Sequence, residues 1–526
     1  MPFFDFHLHP TLKCLFSDDD LAAGLVKLSP WQQLDQHKIP FLLRCCSDFQ
    51  YILQSQGNLQ QLVDSGCNLV CIALHMPEKD ILTSDLIRQS STSSLKAYLQ
   101  PKKIELLTNG NPYKQLIEDD LGTLTNAAKF GITDKKVKVL NKRADYTSSD
   151  LKTIHVLFSV EGCHTLSSLL QHFDAGEVIA NLDDLRSKVP VISINLTHME
   201  QSDFCNNAYG MQFLSNDGFR PTGNKIGTGG ISILQHCYQH KIMVDIKHMS
   251  LGARMHLYQL RGTADFGAIN QPIVCTHAGF TGISVKEIPD YIFQQRKFSK
   301  GYTLFWQGKP VKYGGNPARP SFNASSINLY DEDILQILRS GGMIGLSMDK
   351  RILGYQEYEE QTSERDDFPL ESEYVSNQEL NFFLGESGRV LVGKAFDDGD
   401  KVLGWDEILD GGVVNPQAGD YHLLHFMAHV LHLVTVAEKF DYDPTKAMTQ
   451  ICIGSDFDGL INPIWSCGTI LEITAFKNMF ARRFVQFASD SHVRLPEGFD
   501  SAAFAEKLFF ENGRDFVLGR LDAIHA

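Results

Sequence analysis

The stretch Phe3–Pro10, FFDFHLHP, is an apolar run that ends in two histidines one residue apart. Residues two apart in extended chain point to the same side, so His7 and His9 can offer two imidazoles to one metal ion while Leu8 turns into the packing. An H-x-H pair can also be two ordinary strand histidines, so the rest of the chain has to supply further ligands. Five more residues of suitable chemistry stand at or just after the ends of apolar runs: Glu161 after Thr153–Val160, His198 after Val189–Leu196, His248 after Lys241–Ile246, His277 after Pro272–Thr276 and Asp456 after Gln450–Ser455. Imidazoles and carboxylates suit a divalent transition metal, and a carboxylate beside an activated water can carry its proton.

The elements that must position these residues follow from the hydrophobic pattern. Eight runs read as buried strands: one starting at Phe3, then Asn68–His75, Thr153–Glu161, Val189–Leu196, Lys241–Ile246, Pro272–Thr276, Gly342–Met348 and Gln450–Ser455. Helical patterns at Leu59–Ser65, Leu166–Phe173, from about Gly230, Asp331–Ser340 and Tyr421–Lys439 alternate with them. Near-continuous apolar strands separated by helices predict a parallel sheet covered on both faces, and eight of them predict a (β/α)8 TIM barrel. Such a barrel needs about 250 residues. The excess falls in three insertions, at about 78–150 after strand two, 284–325 after strand six and 356–420 after strand seven, within one domain spanning 1–526. A Tyr113–Phe130 amphipathic segment places helix inside the first insertion. A doubly wound open sheet is the alternative, but no glycine fingerprint follows any strand. In a barrel the C-terminal strand ends converge on one face, so all seven candidate residues meet there and the insertions should wall in that face.

Net charge −15 and pI near 5.7 argue against nucleic acid or an anionic membrane as the main partner. Nothing approaches the length of an apolar membrane span, and no basic n-region precedes the first strand. The eleven cysteines include Cys45–Cys46, Cys71, Cys275 and Cys452 in apolar runs, which reads as free buried thiols in a reducing, cytoplasmic setting. Assembly stays open, with a homodimer allowed.

Several short motifs resemble the membrane (renal) dipeptidase family of metallopeptidases, within the amidohydrolase superfamily. They are SVEG at Ser159–Gly162, NLTH at Asn195–His198, VDIKH at Val244–His248, THAG at Thr276–Gly279, GSDFDG at Gly454–Gly459 and ENGRDF at Glu511–Phe516. The resemblance implies a binuclear zinc site, with His7 and His9 on one ion, His248 and His277 on the other, and Glu161 bridging both. Two such ions lower the pKa of a shared water enough to give hydroxide at neutral pH. Asp456 resembles the family's proton shuttle, and His198 the residue that polarises the scissile carbonyl of a dipeptide or another small substrate.

Two features depart from the family. It has His-x-Asp on strand one where this chain has His7-Leu8-His9, so a neutral imidazole replaces an anionic ligand. It also has an Arg-Asn-x-x-Asp stretch that holds the substrate carboxylate, where this chain has Ile327–Asp331, INLYD. Arg296, Arg319 and Arg351 are the candidates to supply that charge. These departures keep two further readings open, an amidohydrolase acting on a lactone, cyclic amide or acyl amino acid, and a non-catalytic metal-binding barrel. Other residues read as structural: Lys247, whose neighbour His248 points the opposite way along an alternating strand, and His422, His425, His429 and His432 on a helix outside the barrel. Asp458 is the rival to Asp456 and reads as a turn cap.

Overall fold

A computed structural model describes residues 2–16, 29–32, 54–83, 105, 108–125, 132, 134–170, 174–210, 217–298, 300–306, 310–314, 320–354, 372–385 and 418–525. Eight parallel strands form the barrel: β1 Phe3–Leu8, β2 Cys67–Leu74, β4 Thr153–Val160, β5 Val191–Asn195, β6 Met243–Asp245, β7 Ile273–Ala278, β10 Met343–Leu346 and β12 Ile451–Ile453. They hydrogen-bond in that order. The ring closes where His9 N–H donates to the carbonyl of Phe457 and Asp456 N–H to that of His7, both at 2.9 Å.

Side chains of alternate residues fill two separate cores. Phe4, Phe6, Leu69, Cys71, Leu157, Ile192, Met243, Val274, Met343 and Cys452 pack together inside the barrel. Their strand neighbours Val70, Ile72, Val156, Phe158, Val244, Cys275 and Ile344 pack outward with the helices. Helix α8, Asn512–His525, covers the inner core with Val517, Leu518 and Leu521. This gives ENGRDF a structural meaning: Asn512 donates to the carbonyls of Met448 and Ile451, and a Cβ on Gly513 would lie 2.1 Å from the Phe4 ring.

The outer helices begin with α1, Leu59–Ser65, whose Asn58 and Gln61 form a capping box. The helix expected over Leu166–Phe173 does not form at 167–170, and 171–173 lie outside the described residues. The chain makes a 3-10 turn at Cys163–Leu166, and helix α2 runs from Ala175 to Lys188 because Asp174 caps the N–H groups of Gly176 and Glu177. Helices α3 Thr228–Gln239, α4 Leu251–Arg261, α5 Asp331–Arg339, α6 Ala418–Lys439 and α7 Ile473–Asp490 complete the cover. The Tyr113–Phe130 segment is helical through Thr125, with a π-helical stretch at Leu116–Leu121, and 126–130 lie outside the described residues.

The insertions divide between the two barrel ends. In the first, Glu78 joins the face where the strands end, but strand β3, Lys136–Val139, pairs with the N-terminal half of β4, far from Glu161. Only part of that insertion therefore walls the site, since the chain must travel back to start β4. The other two meet in one antiparallel sheet, β11–β9–β8, built from β8 Ile292–Lys297, β9 Gly301–Trp306 and β11 Ser372–Ser376. Most of 356–420 lies outside the described residues. Cys71, Cys275 and Cys452 are free and buried, while Cys45 and Cys46 fall outside the described residues.

Candidate metal centre

Two register shifts aim the histidines. Phe4 and Phe6 face the inner core, so strict alternation would turn His7 outward. Between Asp5 and Leu8 the pairing with β2 slips, Asp5 opposite Val70 and Leu8 opposite Ile72, and this bulge turns His7 inward directly behind Phe6. Strand β7 repeats the device: Cys275 lies opposite Ile344 and Ala278 opposite Leu346, which brings Thr276 and His277 to the same side. His248 follows the short β6 in a left-handed conformation with φ 68°, and Asp456 follows β12 with φ 62°. Non-glycine residues seldom hold such angles without surrounding structure to enforce them.

All five proposed ligands come together around Glu161 and are 0 to 3% exposed. His7 Nε2 and His9 Nε2 are 3.0 Å apart, and His248 Nε2 and His277 Nε2 are 3.1 Å apart. Glu161 lies between the pairs: Oε1 is 3.4 Å from His7, 3.2 Å from His248 and 3.5 Å from His277, and Oε2 is 3.2 Å from His9. Burial alone would lower His9, but the carboxylates of Glu161 and Asp456 outweigh it and hold the imidazole up to about 10. Burial pushes His248 and His277 far down, reinforced by the charge of His198 on one and His7 on the other. Glu161 would be raised by burial, yet the imidazoles of His198, His7 and His9 keep it ionised.

The outer contacts settle which ring nitrogens face inward. The Thr276 hydroxyl donates to Asp245 Oδ2, so its lone pairs accept from His7 Nδ1 at 2.9 Å and His277 Nδ1 at 3.1 Å. Both rings then carry hydrogen on Nδ1 and turn a bare Nε2 toward the centre. His7 and His277 each turn that bare Nε2 toward a second imidazole nitrogen about 3 Å away and toward Glu161, and this donor set of imidazoles with one carboxylate suits a divalent transition metal. The residues present therefore fit a metal.

Asp456 and His198 stand at the rim of the cluster. Asp456 Oδ1 is 3.4 Å from His9 Nε2 and 3.9 Å from His7 Nε2, and its side chain is 16% exposed. Asp458, in contrast, is buried and committed: its carboxylate accepts from the N–H groups of Gln56 at 2.7 Å and Gly57 at 3.1 Å and pairs with Lys13 at 3.0 Å. His198 Nε2 lies 3.7 Å from Glu161 Oε1, while its Nδ1 donates to Glu78. His75 completes this side, donating from Nδ1 to the Glu161 carbonyl at 3.0 Å. Burial, helped by the neighbouring charge of His198, pushes His75 down to about 3.

Glu78, Thr276 and Asp245 were not among the sequence candidates. Glu78 stands three residues after His75, a spacing that could have flagged it; Thr276 and Asp245 carry no signal apart from lying inside THAG and VDIKH. Lys247 stays out of the ligand cluster, donating from Nζ to the carbonyl of Ile327 at 3.2 Å. The reason differs from strand alternation, because β6 has already ended and the left-handed turn at His248 separates the two side chains. The histidines of α6 are buried ties. His429 accepts from Phe280 N–H and donates to the Leu353 carbonyl, His425 accepts from Ser321 N–H, His422 accepts from Trp465 N–H and His432 pairs with Asp331. Of the three arginines, Arg351 is engaged by Asp349 at 2.6 Å, Arg296 lies 5.7 Å from the centre of the Phe298 ring, and Arg319 lies outside the described residues. Asn328 spends its amide on Gly279 N–H and the Asn323 and Ile352 carbonyls.

Among the described residues no helix is long and apolar enough to cross a membrane. No family model matches the sequence, and no curated protein does. Solved structures that align with the chain include a metallopeptidase from Rhodobacter sphaeroides bound to a phosphinate mimic of the dipeptide L-Ala-D-Ala, 13% identical over 99% of both chains with a TM-score of 0.46. The dipeptidase AC, a metallopeptidase, is 14% identical over 99% of this chain and 98% of that one, with a TM-score of 0.45. An amidohydrolase from Pseudomonas aeruginosa is 12% identical over 88% of this chain and 91% of that one, with a TM-score of 0.39.

Proposed function

We propose that this single barrel domain is a metal-dependent hydrolase that cleaves an amide bond in a small, dipeptide-like substrate. The observation that carries the proposal is the arrangement of two imidazole pairs on either side of one buried carboxylate, with a second, partly exposed carboxylate beside them. His7 and His9 would hold one divalent ion and His248 and His277 a second, with Glu161 shared between them, zinc being the metal that such ligands favour. When bound, the two ions supply Lewis acidity and a water made nucleophilic at neutral pH. Asp456 takes the proton released as the water attacks and delivers it to the departing amine, a task that needs a carboxylate in reach of both water and leaving group. His198 points Nε2 toward the reacting centre and stabilises the negative charge that grows on the carbonyl oxygen.

Binding alone would need no partly exposed Asp456 beside the cluster, which disfavours a non-catalytic barrel. A second substrate class is favoured by one observation: Arg351, a candidate to hold a substrate carboxylate, is already paired with Asp349. A lactone, cyclic amide or acyl amino acid then remains a substrate to test. The experiment is metal analysis of purified protein with loss and metal-dependent recovery of activity on chelation, followed by a screen of dipeptides against acyl amino acids and lactones. Two metal equivalents with dipeptide cleavage are the expected outcome. Fewer than one equivalent, or activity indifferent to chelation, would refute it.

A further inference from the structure

Glu78 is nearly inaccessible at 2% exposure, although it opens the polar insertion after β2. A buried carboxylate in a loop requires partners, and those of Glu78 are specific. Its Oε1 accepts from His198 Nδ1 and from the backbone N–H of Met199, the latter at 3.1 Å. Its Oε2 lies 3.7 Å from His75 Nε2 and has no hydrogen bond. An unpaired buried oxygen is costly, so this side chain is poorly explained as packing.

Nothing else in the described structure grips His198 in the same way. An ionised carboxylate can only accept, so Nδ1 of His198 carries a hydrogen toward Glu78, and the ring's other nitrogen, Nε2, faces Glu161 3.7 Å away. The contact to Met199 fixes the backbone next to the ring as well as the ring itself. We infer that Glu78 is a positioning residue: by holding Nδ1 and the adjoining backbone, it aims Nε2 of His198 at the reacting carbonyl. The inference rests on the hydrolase reading given above, and it makes the insertion after β2 part of the catalytic assembly. His75 and Glu78 also lie close enough to His198 to form a three-residue metal set, which gives the alternative role for Glu78.

The test is a double-mutant cycle on the metal-loaded enzyme with the best substrate from the screen. Glu78→Leu should lower kcat by about 30-fold or more with KM within about threefold and the metal content of the wild type. Glu78→Gln, which keeps an oxygen acceptor for both N–H groups, should stay within about fivefold of the wild-type kcat. In a His198→Asn background, Glu78→Leu should change kcat by less than about twofold, because the residue acts through the ring that is gone. A purely structural role would make the two losses multiply, and that result would overturn the inference. So would loss of a metal equivalent in Glu78→Leu, which would make Glu78 a ligand. If the leucine variant does not fold, Glu78→Asp, one methylene too short to reach Nδ1, carries the same expectations. Absence of wild-type activity on every substrate would refute the hydrolase reading instead, so the two failures are distinct.

Discussion

The backbone N–H of Asp456 donates to the carbonyl of His7 at 2.9 Å, so the proposed proton carrier and the first proposed ligand share one rung of the barrel wall. Their separation is set by backbone rather than by a loop. Asp456→Asn keeps shape and rung but cannot carry a proton, and should lower kcat by roughly 100-fold or more with KM and metal content little changed. Asp458→Asn should show the reverse. It removes the charge partner of the buried Lys13 ammonium, which keeps its bond to the Gln54 carbonyl, and weakens the tie to Gln56 and Gly57, costing about 3 kcal/mol of stability with a smaller effect on kcat. Kinetics and denaturant unfolding of both variants check this, and near-normal turnover in Asp456→Asn would move the role elsewhere.

Glu161 is the only described carboxylate within 3.5 Å of both imidazole pairs. Glu161→Gln should therefore retain less metal than the wild type, and elemental analysis after dialysis reads the result. Full occupancy with wild-type rate would exclude a bridging role.

Thr276 receives hydrogen bonds from two ligand rings, one on each side of Glu161. Thr276→Val conserves volume but removes that acceptor and frees both rings to rotate. Metal affinity should fall by about 10- to 100-fold, measured by competition with a chelating dye. Unchanged affinity would mean that packing alone orients the rings.

Glu373 on β11 gives the sheet of the two insertions a pH dependence. It is buried against Ser326, whose N–H lies 3.1 Å from both carboxylate oxygens; burial, opposed by Ser326 and by Arg254 but reinforced by Glu379, pushes its carboxyl up to about 8. The unfolded chain loses this proton near pH 4.5 while the folded one keeps it to about 8, so the group's stabilising contribution is whole below 4.5 and declines as pH rises through that window. Glu373→Gln should remove the slope and leave the variant more stable than the wild type at pH 8, on the order of 3 kcal/mol. Denaturant melts at pH 5 and pH 8 compare the two, and parallel shifts would refute the assignment.

The strand pattern and the residues at strand ends were legible because a sheet buried on both faces writes itself as unbroken apolar runs. His7, His9, Glu161, His248, His277, His198 and Asp456 all meet where those runs end. The geometry that brings them there was not legible. Same-side placement of His7 and His9 was expected from simple alternation, whereas a bulge between Asp5 and Leu8 reverses the facing set by the inward Phe6. Bulges depend on how a neighbouring strand registers, which a single strand's sequence does not record. The helix after β4 was placed too early because the apolar pattern of Leu166–Phe173 outweighed Asp174, the cap that sets where α2 begins. Glu78 entered the sequence reading only as the start of the insertion after strand two, since its burial arises when His198 is brought to it.

Closure of the ring also has an order in time. Asp5 holds Ser455 through Oδ1 to the backbone N–H at 2.9 Å and Oδ2 to the hydroxyl at 2.5 Å, across 450 residues of sequence. During synthesis, β1 can pair with β2 early, but its other edge stays open until residues 451–457 leave the ribosome. An open edge beside Phe3, Phe4 and Phe6 invites pairing with the wrong strand, so the nascent chain carries an aggregation risk through most of its elongation. On the roles proposed above, the same interval keeps the chemistry switched off, since His7 and His9 wait on one side of the seam and Asp456 arrives on the other. Activity and the sealed barrel should therefore appear together, late and in one step.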